Sequence, residues 1–254
     1  MSGLARSFIY FPDTSRVGSV QRWLPGGRDV TLHTEDGLDL DAWLVPPTRR
    51  DRRVAVLFCP GNGGHRAGRL PLFVALADRG FTVLAMDYRG YGGNPGSPTE
   101  DGLARDARAG AAYLRDEGFG PARTLYLGES LGTGVVARLV TTDRPAGVAL
   151  RSPFTSLAEV ATHHAGWLPV GLILPDRFPV VDHLRHSSVP VTVVHGDADD
   201  VVPSRYSARV AAQVGTLHEE LVLPGVGHND EVMFGPVIAD AVARLADAVI
   251  PPTG

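Results

Sequence analysis

Thr124-Leu125-Tyr126-Leu127-Gly128-Glu129-Ser130-Leu131-Gly132-Thr133-Gly134 decides the fold. An apolar, β-prone run stops at Gly128, and Ser130 follows with glycine two residues away on each side. Val135, Val136, Ala137, Leu139 and Val140 then continue as a run suited to a helix. Strand, sharp turn and helix is the setting in which Gly-x-Ser-x-Gly lifts a serine hydroxyl out of a sheet edge. The turn requires strained backbone at the serine. A side chain at Gly128 or Gly132 would collide with the backbone around it. Leu131 would offer its N–H in the first helical turn, where donors lack intrahelical partners and the helix dipole favours negative charge. That N–H is half of an oxyanion hole.

The stretches on either side repeat the strand–helix rhythm. Residues 28–45 read as a hairpin turning at Glu35-Asp36-Gly37, with strict alternation in its second arm, so one face is buried. His33 on that hairpin reads as a surface residue. Val54–Cys59 is a continuous apolar run, the mark of a strand covered on both faces. It ends in Pro60-Gly61-Asn62-Gly63-Gly64, whose glycines allow close backbone approach and whose Asn62 N–H is the expected second oxyanion donor. A helix is expected over Leu70–Asp78, with Gly80 past its end, and Phe81–Met86 as another buried strand. Asp87 and Arg89 are expected to pair with each other and shape the following loop. Ser97-Pro98-Thr99-Glu100 reads as a capping box with Ser97 as the cap.

After the elbow come a strand at Gly147–Ser152 and a proline-broken stretch, 153–188, with no clean period. It reads as a small lid inserted over the strand ends, apolar toward the site, with Trp167, Leu168 and Leu172 as candidate substrate contacts. Val189–His195 is the next strand and leads into Gly196-Asp197-Ala198-Asp199-Asp200. Three carboxylates therefore sit at a strand's C-terminal end, where α/β sheets place their sites. The last strand runs into Gly225-Val226-Gly227-His228, and a final amphipathic helix is expected to carry Phe234, Ile238, Ala241, Val242, Leu245 and Val249 on one stripe. The pattern implies an α/β fold over 1–254 as one domain. Its mostly parallel central sheet has about eight strands and helices on both faces. In chain order the polar motifs run serine, carboxylate, histidine.

Composition narrows the chemistry. The 254 residues carry a net charge of −4, which argues against nucleic acid as a partner. All 24 basic residues are arginine, so Schiff-base chemistry, a lysine-dependent phosphate loop and a Ser–Lys dyad are excluded. Cys59 is the one cysteine and reads as a buried small hydrophobe, with no disulfide framework. No apolar run is long enough for a membrane span, and the N-terminus lacks a signal-peptide pattern, so the cytoplasm is the expected location. His163, His164, His183 and His186 lack metal-ligand spacing, and no metal or other cofactor is expected.

The chain resembles the α/β-hydrolases and is similar to their BEM46-like group, the α/β-hydrolase domain-containing 13 and 17 type. The resemblance rests on Pro60–Gly64, Asp87–Gly92, Gly128–Gly132, Ser152–Leu157, His195–Pro203 and Gly227-His228, spanning about residues 54 to 230. It implies Ser130 as nucleophile, His228 as general base and then acid, and Asp199 as the residue that orients His228, ahead of Asp197 and Asp200. Asn62 and Leu131 would form the oxyanion hole. It implies a cofactor-free serine hydrolase acting on a small acyl ester or thioester. A peptidase or amidase of the same fold and a non-catalytic binding module are the alternatives. The family usually has His-Gly-Asn where this chain has Pro60-Gly61-Asn62, and the N-terminal membrane anchor frequent in the family is not expected here.

Overall fold

The computed structural model describes residues 9–165 and 174–251. Its strands are β1 (Phe11–Pro12), β2 (Arg28–His33), β3 (Asp39–Val45), β4 (Ala55–Cys59), β5 (Gly63–Gly64), β6 (Thr82–Met86), β7 (Thr124–Glu129), β8 (Gly147–Arg151), β9 (Val191–Gly196) and β10 (Leu217–Leu223). Its α-helices are α1 (Leu70–Asp78), α2 (Glu100–Asp116), α3 (Leu131–Val140), α4 (Leu157–Ala165), α5 (Val180–Leu184), α6 (Ser204–Gln213) and α7 (Pro236–Val249).

Eight strands form one sheet in the order β10-β9-β8-β7-β4-β6-β3-β2. The β2–β3 and β3–β6 pairs are antiparallel, and every other pair in this sheet is parallel. Alternation within the strands divides the interior. In β4, Ala55, Leu57 and Cys59 face a core layer shared with α2, α3, α5 and α6. Val56 and Phe58 face the opposite layer, shared with α1 and α7. Because both faces are covered, β4, β6, β7, β8 and β9 are buried along their whole length, the polar Glu129, Arg151, Thr192 and His195 included. Cys59 is fully buried, and burial pushes its thiol up to about 12.

Two local expectations are corrected. Helix α2 is capped by Thr99, not Ser97: the Thr99 hydroxyl accepts the Gly102 N–H at 2.9 Å. Pro98 lies before the cap, and Glu100 is the first helical residue, where its carboxylate accepts the N–H of Arg177 at 2.7 Å. Nor do Asp87 and Arg89 pair with each other. Asp87 binds Arg66 at 2.6 Å, and Arg89 reaches Asp106 at 2.7 Å and Asp36 at 2.8 Å. Each finds its partner on a neighbouring segment instead: Asp87 on the turn after β5, Arg89 on α2 and the β2–β3 turn.

The elbow shows why its glycines are required. Ser130 has φ 50° and ψ −114°, in a region a side chain rarely adopts. A Cβ on Gly128 would lie 2.7 Å from the Gly132 carbonyl oxygen, and one on Gly132 would lie 2.1 Å from the Cys59 oxygen. The start of α3 is thus pressed directly against the end of β4, and this places the Ser130 turn beside the Pro60–Gly64 loop. Gly132→Ala is expected to cost more than ~2 kcal/mol by chemical denaturation. Gly63→Ala, where a Cβ would meet nothing within 4 Å, is expected to cost less than ~0.5 kcal/mol. Equal effects would contradict this packing.

Candidate active site

The strand ends of β4, β7, β8 and β9 and the turn after β10 bring the polar motifs together. Ser130 caps the start of α3, and its N–H donates to the Arg151 carbonyl at 2.9 Å. The Ser130 hydroxyl lies 3.1 Å from His228 Nε2, and His228 Nδ1 lies 2.7 Å from Asp199 Oδ2. An ionised carboxylate only accepts, so Nδ1 carries the proton and Nε2 is left to accept from the serine. The second oxygen, Asp199 Oδ1, accepts the N–H groups of Val201 at 3.0 Å and Val202 at 2.7 Å. Burial alone would raise the Asp199 carboxyl. Hydrogen bonds from His228 and Val202, with the electrostatic attraction of His228, outweigh it and hold the group below its ordinary value. His228 and Asp199 are both buried, while Ser130 is partly open.

The neighbouring carboxylates have other partners. Asp197 caps a turn by accepting the Gly225 N–H at 2.6 Å, and Asp200 is exposed. Gly196 lets the Asp199 and His228 loops meet, since a Cβ there would sit 1.9 Å from the Val226 oxygen.

Around Asn62 the loop is held from outside the sheet. Its side-chain amide donates to the Ile9 carbonyl. Its Oδ1 accepts the Tyr91 hydroxyl at 2.9 Å and the Phe11 N–H at 3.3 Å. The Tyr88 hydroxyl donates to the Pro60 carbonyl at 3.0 Å, so the proline is anchored through the one backbone polar group it keeps. Gly61 lies against the elbow: a Cβ there would sit 2.7 Å from Glu129 Oε1 and 3.4 Å from Ser130 Cβ. Leu131, the first residue of α3, has an N–H without an intrahelical acceptor.

A buried charge cluster under the elbow was missed in the sequence. Glu129 accepts from Arg69 at 2.7 and 3.3 Å and lies 3.8 Å from Arg151. Burial would raise the Glu129 carboxyl, but Arg69 and Arg151 hold it below its ordinary value. The signal was available: Glu129 and Arg151 close two strands that are otherwise apolar, and they are paired in register. Trp167, Leu168 and Leu172 lie outside the described residues. Among the described residues no group of three or more His, Cys, Asp or Glu side chains is arranged to hold a metal ion.

Comparison with known proteins agrees with the fold. The chain is 46% identical over 242 residues to the uncharacterized protein Rv2307c of Mycobacterium tuberculosis, covering 94% of this chain and 86% of that protein. A family model described as serine aminopeptidase, S33, matches residues 50–174. The lysophosphatidylserine lipase ABHD12 of Danio rerio is 30% identical over 227 residues, covering 74% of this chain and 59% of that protein. The chain belongs to the α/β-hydrolase superfamily. Among solved α/β-hydrolase structures, the Pyrococcus furiosus esterase Pf2001 matches with a TM-score of 0.74 at 20% identity, covering 95% of this chain and 100% of that one. An α/β-hydrolase from Vibrio vulnificus matches with a TM-score of 0.72 at 21% identity, covering 93% and 88%. No helix among the described residues is long and apolar enough to cross a membrane.

The depressed Glu129 carboxyl makes a pH prediction. Such a group contributes stability that is present above its unfolded pKa and is lost as pH falls through the folded one. Glu129→Gln should therefore unfold at a lower temperature than wild type at neutral pH. The gap should narrow as pH falls below the ordinary glutamate range. A gap that stays constant from pH 7 to pH 3 in thermal unfolding would contradict the ionised assignment.

Proposed function

We propose that this α/β-hydrolase is a serine hydrolase that cleaves carboxylic ester or thioester bonds through an acyl-enzyme on Ser130. The observation that carries the reading is the continuous relay from the Ser130 hydroxyl through His228 to Asp199, at 3.1 and 2.7 Å. His228 Nε2 takes the serine proton as Oγ attacks the carbonyl carbon. Asp199 holds the ring in the tautomer that can do so and stabilises the imidazolium that forms. The N–H groups of Asn62 and Leu131 receive the developing oxyanion, and losing one such donor typically costs ~10²–10³ in rate. The imidazolium then protonates the leaving group, and a water activated by His228 releases the acyl group. The BEM46-like resemblance, a relative that is a lipase and a structural neighbour that is an esterase support ester chemistry. In this reading the lid lies within 153–188 on the same domain, and α5 at the end of that stretch packs in the core layer beside α3.

A second reading, peptide or amide cleavage by the same relay, is favoured by one finding, the family model described as a serine aminopeptidase. The relay itself does not choose between the bonds.

Hydrolysis of p-nitrophenyl esters with acyl chains from two to about twelve carbons tests the proposal. Activity in the wild type should fall at least ~10³-fold in Ser130→Ala, with unfolding temperature little changed. Turnover of aminoacyl p-nitroanilides without turnover of any ester would favour the second reading. An ester activity that persists in Ser130→Ala would overturn the nucleophile assignment.

A further inference from the structure

We propose that Arg151 is a positioning residue that sets the distance between Ser130 and His228, a role that rests on the hydrolase reading above. The two candidate reacting side chains are 98 residues apart in sequence. Both are fastened to this one residue. The Arg151 carbonyl accepts the Ser130 N–H at 2.9 Å. At its other end the guanidinium donates from Nη2 to the carbonyl of His228 itself, and from Nε to the Met233 carbonyl at 3.1 Å. The base therefore hangs from the side chain whose own backbone holds the nucleophile.

The direction of the fork separates this role from simple charge neutralisation. A guanidinium beside a carboxylate forms a bidentate pair where the geometry allows it. Here Glu129 gives its close contacts to Arg69, and Arg151 Nη1 stays 3.8 Å from Glu129 without a hydrogen bond. Arg151 turns its Nε–Nη2 edge to the two carbonyls of the histidine loop instead. Glu129 supplies a charge that keeps the cation tolerable in the interior, where its side chain is 1% exposed. The Phe234 ring closes the other face, 4.3 Å from the guanidinium carbon. Lysine could keep the charge but not two donors in a fixed plane.

Without the fork, the segment His228–Met233 loses two of its ties to the sheet, and Nε2 is free to drift from the serine. A misplacement of about 1 Å in such a relay can cost ~10²-fold. The test is the rate of covalent labelling by a fluorophosphonate probe, followed to completion, together with kcat and KM on the best ester. Arg151→Met is expected to label to the same final extent as wild type, but about 10- to 100-fold more slowly. Its kcat should fall in parallel while KM changes less than about threefold. Arg151→Lys should remain several-fold slow. A purely structural role would lower the fraction of molecules that label and leave the rate constant of the remainder intact. That result would overturn the proposal, as would an Arg151→Lys enzyme as fast as wild type. Should Arg151→Met fail to fold, Phe234→Leu, which removes the ring that holds the guanidinium in place, decides. Slower labelling to full extent supports the proposal, and an unchanged rate overturns it. A wild-type protein that takes no probe at Ser130 would instead overturn the hydrolase reading, and the positioning role with it.

Discussion

The close approach of α3 to the end of β4 is the constraint on which the rest of the site depends. With only hydrogens on Gly132, the helix start can press against the Cys59 and Pro60 carbonyls. That contact forces the chain at Ser130 into a positive φ of 50°. Strain of this kind costs of order 1–3 kcal/mol and persists only where the surroundings over-determine it. They do so here: Ser130 N–H is tied to Arg151, and its carbonyl accepts both the N–H and the hydroxyl of Thr133, at 2.9 and 2.7 Å.

Around that turn the protein places arginine–carboxylate pairs where an apolar core would have been simpler. Arg69, Glu129 and Arg151 lie beneath the elbow, Arg66 and Asp87 beside it, and Arg89 with Asp106 further along the same edge. Buried ion pairs add little net stability compared with well-packed apolar side chains. What they supply is direction, since each guanidinium fixes the loop it reaches. Arg66 meets Asp87 through both its backbone N–H at 2.8 Å and its side chain at 2.6 Å, which ties the segment after β5 to the end of β6. Arg89 joins the loop after β6 to α2 and to the β2–β3 turn. The strand-end loops that carry Asn62, Ser130 and His228 are thus braced by charge as well as by packing.

Much of this was legible in the sequence because its causes are local. Steric exclusion at Gly128 and Gly132 and continuous apolar runs in β4 and β6 each depend on a few adjacent residues, whereas the strict alternation expected in β3 holds only over Asp39–Ala42, because Trp43, Leu44 and Val45 are buried on both faces between β2 and β6. The eight-stranded α/β sheet followed from their order. Partner choice was less legible, because it depends on which elements the fold brings side by side. Asp87 finds Arg66 rather than Arg89, and Thr99 rather than Ser97 caps α2, since the helix begins where Glu100 can reach Arg177. Among Asp197, Asp199 and Asp200, residue type alone left the choice open. The structure gives Asp197 to a turn and Asp199 to His228. Arg151 escaped notice because a charged residue at the end of a buried strand reads as a strand terminus until the histidine loop is seen to fold over it.

The hydrolase mechanism requires that Ser130 carry the acyl group during turnover. Acid quenching within the first turnovers of a p-nitrophenyl ester, followed by peptide mass analysis, measures this directly. A mass increase equal to the acyl group is expected on the peptide containing Ser130, absent in Ser130→Ala and strongly reduced in His228→Asn. Ester turnover with no acylated peptide, or acylation at a different residue, would contradict it.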